Sequence, residues 1–189
     1  STPPTERSPA TPPPSLDLFG SAGVMGGALP RVNAVFELGA SLGRGLWRVE
    51  LNATVRLPSD APSNTVPDVL GRLGMWGVTA RGCAHPTTGR ASFPLCAGLE
   101  GGQAFGRGRG FTGATQTRVP WGAAVVGPGV RVRIVGRVYA LARAELGIPL
   151  NRAEFVVDGL ENAHTIGAAF GRGALGFEIR LGRRTGRVE

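Results

Sequence analysis

There is no lysine in this 189-residue chain: all 21 basic residues are arginine, set against 13 aspartates and glutamates. The arginines are spread over almost every segment, which fits a GC-rich coding sequence better than a nucleic-acid footprint. No basic block, RNA-binding aromatic pattern or zinc-ligand spacing accompanies the formal charge of +8, so no nucleic-acid partner is expected. Long apolar runs are missing too. The longest charge-free stretches, 18–30 and 119–130, fall short of the ~18–20 residues a membrane-crossing helix needs. Aromatics make up 6%. With two cysteines (Cys83, Cys96) and two distant histidines (His85, His164) there is no metal-ligand set, and no cofactor is expected. The opening STPPTERSPATPPPS lacks the basic-then-apolar order of a signal peptide, and a start without methionine leaves open a removed leader or upstream domain.

What the chain does have is glycine, 31 residues, and alternation. The stretch from Val32 to Leu57 is the clearest case. Trp47, Val49, Leu51, Ala53, Val55 and Leu57 alternate with Arg48, Glu50, Asn52, Thr54 and Arg56. That period of two belongs to a strand and to no helix. Phe36 and Leu38 mark the apolar face of the strand before it, across a tight turn at Gly43-Arg44-Gly45. The same pattern predicts a first strand from Asp17, a fourth over 73–83, a fifth over 95–105, a sixth over 118–134 with a bulge at Gly127-Pro128-Gly129, a seventh from Val138 and an eighth over 174–181. Long connections are expected at 58–71, 106–117 and 149–171, alternating with short ones. The domain plan is a proline-rich, disordered segment over 1–16, a barrel over 17–182 and a tail over 183–189.

Eight strands fit two barrels with opposite insides. A soluble lipocalin-like barrel binding a small apolar ligand buries its apolar face, whereas a membrane barrel turns that face to lipid. The polar face carries ions of both signs: Glu37, Arg48, Glu50, Arg56, Arg81, Glu100, Arg131, Arg133, Arg143, Glu145, Glu178 and Arg180. In a narrow lumen these can pair and offset their desolvation. The apolar face persists for the ~9–11 residues a tilted strand needs to cross a bilayer. The expected fold is therefore all-β, an eight-stranded antiparallel up-and-down membrane barrel. Its lipid-facing residues include Phe36, Leu38, Trp47, Val49, Leu51, Val55, Ala140, Leu146, Phe177 and Ile179. Trp47, Trp76, Trp121, Phe36, Phe105 and Phe177 are few for an aromatic girdle, although several lie at strand ends as interface anchors would.

RGC at 81–83, LCAGLEGG at 95–102, Trp121 and the stretch 152–155 carry a resemblance over about 17–182. In their order the chain resembles the small outer-membrane β-barrels of Gram-negative bacteria, of the eight-stranded OmpA/OmpX type. The resemblance implies an outer-membrane location, membrane lipid and lipopolysaccharide as surroundings, the barrel assembly machinery as a partner, and a monomer. It also implies short turns and both cysteines on the periplasmic side, with long loops on the cell surface. It departs at the C-terminus: such barrels end on an aromatic residue, while this chain continues past Leu181 through GRRTGRVE. In an exported protein Cys83 and Cys96 flank one connection and are expected to form a disulfide worth roughly 3 kcal/mol.

Chemistry is sparse. A barrel-embedded lipid hydrolase would need His85 or His164 beside a partner such as Ser92 or Glu161, and nothing in the sequence singles out such a pair. GRGRG at 106–110 lacks the lysine and helix of a phosphate loop and reads as a mobile loop with two arginines facing anionic lipopolysaccharide. The expectation is a non-enzymatic barrel with a plugged, charge-lined lumen and interacting surface loops.

Overall fold

Alternation sustained over ten or more residues leaves a segment no stable option except a long strand with two unlike faces. The computed structural model, which describes residues 14–28, 31–62, 70–109, 116–151 and 167–181, contains ten strands. They are β1 (Ser15–Gly26), β2 (Asn33–Arg44), β3 (Trp47–Pro62), β4 (Leu70–Ala84), β5 (Thr87–Thr88), β6 (Ala91–Ser92), β7 (Leu95–Arg109), β8 (Gln116–Val135), β9 (Val138–Pro149) and β10 (Phe170–Arg180). Eight of them form an antiparallel meander, β1-β2-β3-β4-β7-β8-β9-β10, which β1 closes by pairing with β10 from Asp17↔Arg180 to Gly26↔Gly171. Closure leaves no barrel edge unpaired. The short strands β5 and β6 form a hairpin inside the β4–β7 connection, and β6 extends the wall by pairing Ala91↔Val132 and Ser92↔Arg131 on β8.

The two faces of the wall are opposite in character. Leu51 is 57% exposed and Leu38 72%, while Glu50 between strand neighbours is 2% exposed and Arg56 0%. Phe36, Trp47, Val49, Val55, Leu146, Phe177 and Ile179 also lie outside, and Ala140 sits half-buried on the same face. A soluble lipocalin-like barrel would have these faces reversed.

The ends differ. The near end holds Ser15, the β2–β3 turn with Gly45 at φ +61°, the β8–β9 turn with Gly136 at φ +53°, and the Cys83–Cys96 disulfide between directly opposed residues of β4 and β7. Positive φ suits glycine at both turns. The far end carries the β1–β2, β3–β4, β7–β8 and β9–β10 connections.

Several expected boundaries shift. β3 runs on to Pro62 and β4 starts at Leu70, so both ends of the polar 58–71 stretch are wall rather than loop. The ladder is irregular only between Arg56 and Ser59, where Pro58 has no N–H to donate. Likewise β7 extends to Arg109 and β8 begins at Gln116, which puts GRGR of 106–109 on a paired strand. The expected bulge at 127–129 is absent. There β8 changes partner, from β7, whose pairing ends at Leu95↔Pro128, to β6, and its register shift lies between Arg133 and Val135.

Placing a charge on the outer face tests the face assignment. Leu51→Arg is expected to cost ~2–4 kcal/mol at mid-membrane and to block insertion, read from heat-modifiable migration after refolding into vesicles. Leu51→Ala should insert normally.

Candidate functional site

The side chains that the alternation sends inward meet in one narrow lumen. Six carboxylates (Asp17, Glu37, Glu50, Glu100, Glu145, Glu178) and six arginines (Arg48, Arg56, Arg81, Arg131, Arg143, Arg172) are buried there. They form a single connected network. At the near end Arg48 pairs with Asp17 at 3.2 Å, with Glu50 at 3.1 Å and with Glu178, while Arg131 reaches Glu178 at 2.5 Å. Glu50 passes the chain to Arg143 at 2.6 Å, and Arg143 to Glu37 at 3.7 Å. Arg81 joins Glu145 at 2.7 Å and Glu37 at 3.5 Å. Arg172 connects Glu145, Glu37 at 3.5 Å and Glu100 at 2.8 Å, and Glu100 ends the network on Arg56. All eight barrel strands contribute at least one member.

Room for these long side chains comes from glycine opposite bulk. At Gly39 a Cβ would lie 2.5 Å from the Leu51 carbonyl oxygen and 2.6 Å from the Phe19 ring, so glycine makes room there for a ring whose centroid is 5.4 Å from the Arg143 guanidinium. Beyond the ions, towards the far end, the filling turns apolar: Met25, Leu73, Met75, Ala104, Trp121, Val125 and Phe170 pack together. Arg56 stands at the boundary, 4.4 Å over the Trp121 ring, and Trp121 in turn meets Phe170 at 5.8 Å.

Eleven of the expected polar-face residues line this network, Arg180 from the rim, where its half-buried side chain bonds Asp17 at 3.0 Å. Arg133 does not join it. It is exposed, because the β8–β9 hairpin there projects past the mouth of the barrel. Trp121 is not an interface anchor either: at 3% exposure it belongs to the lumen. Two members escape the sequence pattern. Asp17 reads there only as the start of the first strand, and Arg172 abuts the expected 149–171 connection. The alternation Phe170-Arg172-Ala174 is the available signal for Arg172, blurred by Gly171 and Gly173.

Other candidate chemistry is limited. The Glu50 carboxylate lies within 4.8 Å of both cysteine sulfurs, but the disulfide leaves no thiolate to bind a metal. His85 Nε2 and Ser92 Oγ are both buried and without hydrogen-bond partners among the described residues, so they are not bonded to each other as a catalytic pair would be. His164, Glu161 and the 152–155 stretch lie outside the described residues. Burial pushes the His85 imidazole down to about 4, and Arg48, Arg131 and Arg143 push in the same direction.

Neither a protein-family model nor a curated protein matches this sequence. Solved structures do. The Neisserial surface protein A is 12% identical with a TM-score of 0.60, covering 91% of this chain and 99% of its own. A major outer membrane protein of Thermus thermophilus is 11% identical with a TM-score of 0.65, covering 89% and 100%. Ail, the attachment invasion locus protein of Yersinia pestis, solved in complex with the heparin analogue sucrose octasulfate, is 13% identical with a TM-score of 0.54, covering 89% and 97%.

Two measurements test the interior. Among the described residues Glu100 is the one carboxylate paired with Arg56. Glu100→Leu should therefore destabilise the barrel by about 3–5 kcal/mol in urea unfolding, while Arg56→Met with Glu100→Leu should recover much of the loss. His85 binds fewer protons folded than unfolded between its usual pKa of about 6.5 and about 4. Its contribution to stability is thus complete above pH 6.5 and falls as the pH drops towards 4. His85→Gln is expected to flatten that part of the stability profile. Low identity over nearly full mutual coverage shows a shared architecture, and this chain has the fold of the small eight-stranded outer-membrane β-barrels.

Proposed function

We propose that this chain is a non-enzymatic outer-membrane scaffold with a closed lumen, whose working surface is the loop-bearing far end. The buried ion network carries the reading. Its members span the cross-section of the barrel, and the apolar layer around Trp121 and Phe170 lies across the same passage. An eight-stranded barrel has an interior only wide enough for side chains. The lumen is therefore filled rather than conducting, and what the protein does falls to its rims.

The outer-membrane location rests on the apolar outer belt and on the company the fold keeps. The near end, with its short turns and disulfide, faces the oxidising periplasm, and the far end faces outward. Ail, which shares the architecture, is solved in complex with sucrose octasulfate, which supports a surface-interaction role for barrels of this size. Exposed Arg31 and Arg118 at the far end suit the phosphates of lipopolysaccharide. Delivery by the barrel assembly machinery and a monomeric state complete the proposal.

Conductance and fractionation test it together. The protein should co-fractionate with outer membranes, need detergent in solution, and give no steady pore current in planar bilayers. A stable ohmic channel would sink the closed-lumen reading. A detergent-free soluble monomer would sink the membrane reading.

A further inference from the structure

At the near end β6 and β8 carry the wall past the mouth of the lumen. Arg90 lies at the turn of the β5–β6 hairpin, beside Gly89 at φ +59°, and its carbonyl accepts the Arg133 amide at 2.9 Å. This continues the register that sets Ser92 against Arg131. Arg133 therefore stands two residues past Arg131 on the same face, and Arg90 two residues before Ser92, about 7 Å of strand in each case. Both arginines are exposed. Residues bonded across strands in this way have Cα atoms about 5.5 Å apart, and like charges so placed destabilise a sheet.

The ion network has no carboxylate to spare for this pair. Those that Arg131 reaches, Asp17 and Glu178, are already shared with Arg48, and Asp17 with Arg180 as well. On its other side Arg133 meets Tyr139, whose ring lies 3.5 Å under the Arg131 guanidinium and brings no charge. Next to the pair, one step into the lumen, are donors that lack acceptors. Ser92 is 4% exposed and Arg131 7%, and neither Ser92 Oγ nor Arg131 Nε has a hydrogen-bond partner among the described residues. A buried donor left unpaired carries its full desolvation cost.

We propose that this mouth binds a doubly charged oxyanion of the phosphate type, clasped by Arg90 and Arg133 and met from the lumen side by Ser92 Oγ and Arg131 Nε. A dianion with several oxygens engages two guanidinium forks at once and relieves their mutual repulsion. The same oxygens supply the acceptor that the two buried donors lack. A free phosphate and the phosphate ester of a lipid headgroup share this chemistry. The site needs only the closed barrel, so it goes beyond the scaffold reading and does not depend on it.

The test titrates inorganic phosphate by calorimetry into the whole chain, refolded in detergent micelles and checked for folding by heat-modifiable migration. One phosphate per chain should bind, and acetate, with a single charge, should compete at least about tenfold less well. Arg133→Gln and Arg90→Gln should each weaken binding by about tenfold or more, the worth of a hydrogen bond between charged groups, and Ser92→Ala by about fivefold. Arg44→Gln, exposed at the β2–β3 turn, should leave the affinity unchanged. Phosphatidic acid added to the micelles separates the two sources: if it competes, the bound phosphate is a headgroup, and if it does not, a soluble phosphate. Absence of saturable binding to the folded chain would overturn the site. So would an unchanged affinity in Arg90→Gln with Arg133→Gln, or an equal loss in Arg44→Gln, which would mark a mere effect of net charge.

Discussion

Twelve buried charges share the inside of one barrel and must neutralise one another to stay there. That constraint orders the rest of the structure. Each ion taken from water costs several kcal/mol, and the cost is offset only by close, multiple contacts. Here Arg172 touches three carboxylates and Glu37 touches three arginines, so among the described residues no ion of the network depends on a single partner except Arg56, which lies at its edge and adds the Trp121 ring. Because the partners come from strands far apart in sequence, such as Arg48 with Glu178, the network is complete only when β1 meets β10. Closure and charge neutralisation are one event.

The interior is also graded from end to end. Ions fill the near and middle sections, and Met75, Trp121 and Phe170 fill the far section. The filling thus changes along the barrel axis from salt bridges to packed apolar groups, two unrelated kinds of contact. At the near end the Cys83–Cys96 bridge ties β4 to β7 one residue before the point where β8 leaves β7 for β6. The bridge therefore fixes the wall at its one change of partner, where Pro128 offers no donor to the ladder.

Much of this is legible in the sequence because alternation reports faces directly. The Val32–Leu57 stretch shows both strands, the turn and the polarity of each side without reference to anything distant. Arg172 is hidden for the opposite reason: two glycines beside it carry no side chain to mark the outer face, so the alternation fades where β10 begins. Arg133 has the right parity but lies past the mouth of the barrel, and parity cannot tell where a wall stops. Trp121 shows the same limit, since an aromatic near a strand end suits either an interface belt or a lumen plug. The pairings themselves, Arg48 with Glu178 or Arg81 with Glu145, depend on strand stagger, which no local pattern contains.

The charge distribution follows from the same arrangement. The buried arginines and carboxylates cancel, so the formal +8 of the chain is carried by residues outside the lumen. At the near end Arg44, Arg90, Arg133 and Arg137 are exposed, and the described carboxylates there are locked in the network. A protein that needs its acids to hold its barrel closed therefore presents arginine to whatever borders its rim. In a bilayer that neighbour is the phosphate layer. The filling of the lumen and the chemistry of the rim are consequences of one allocation of 13 carboxylates.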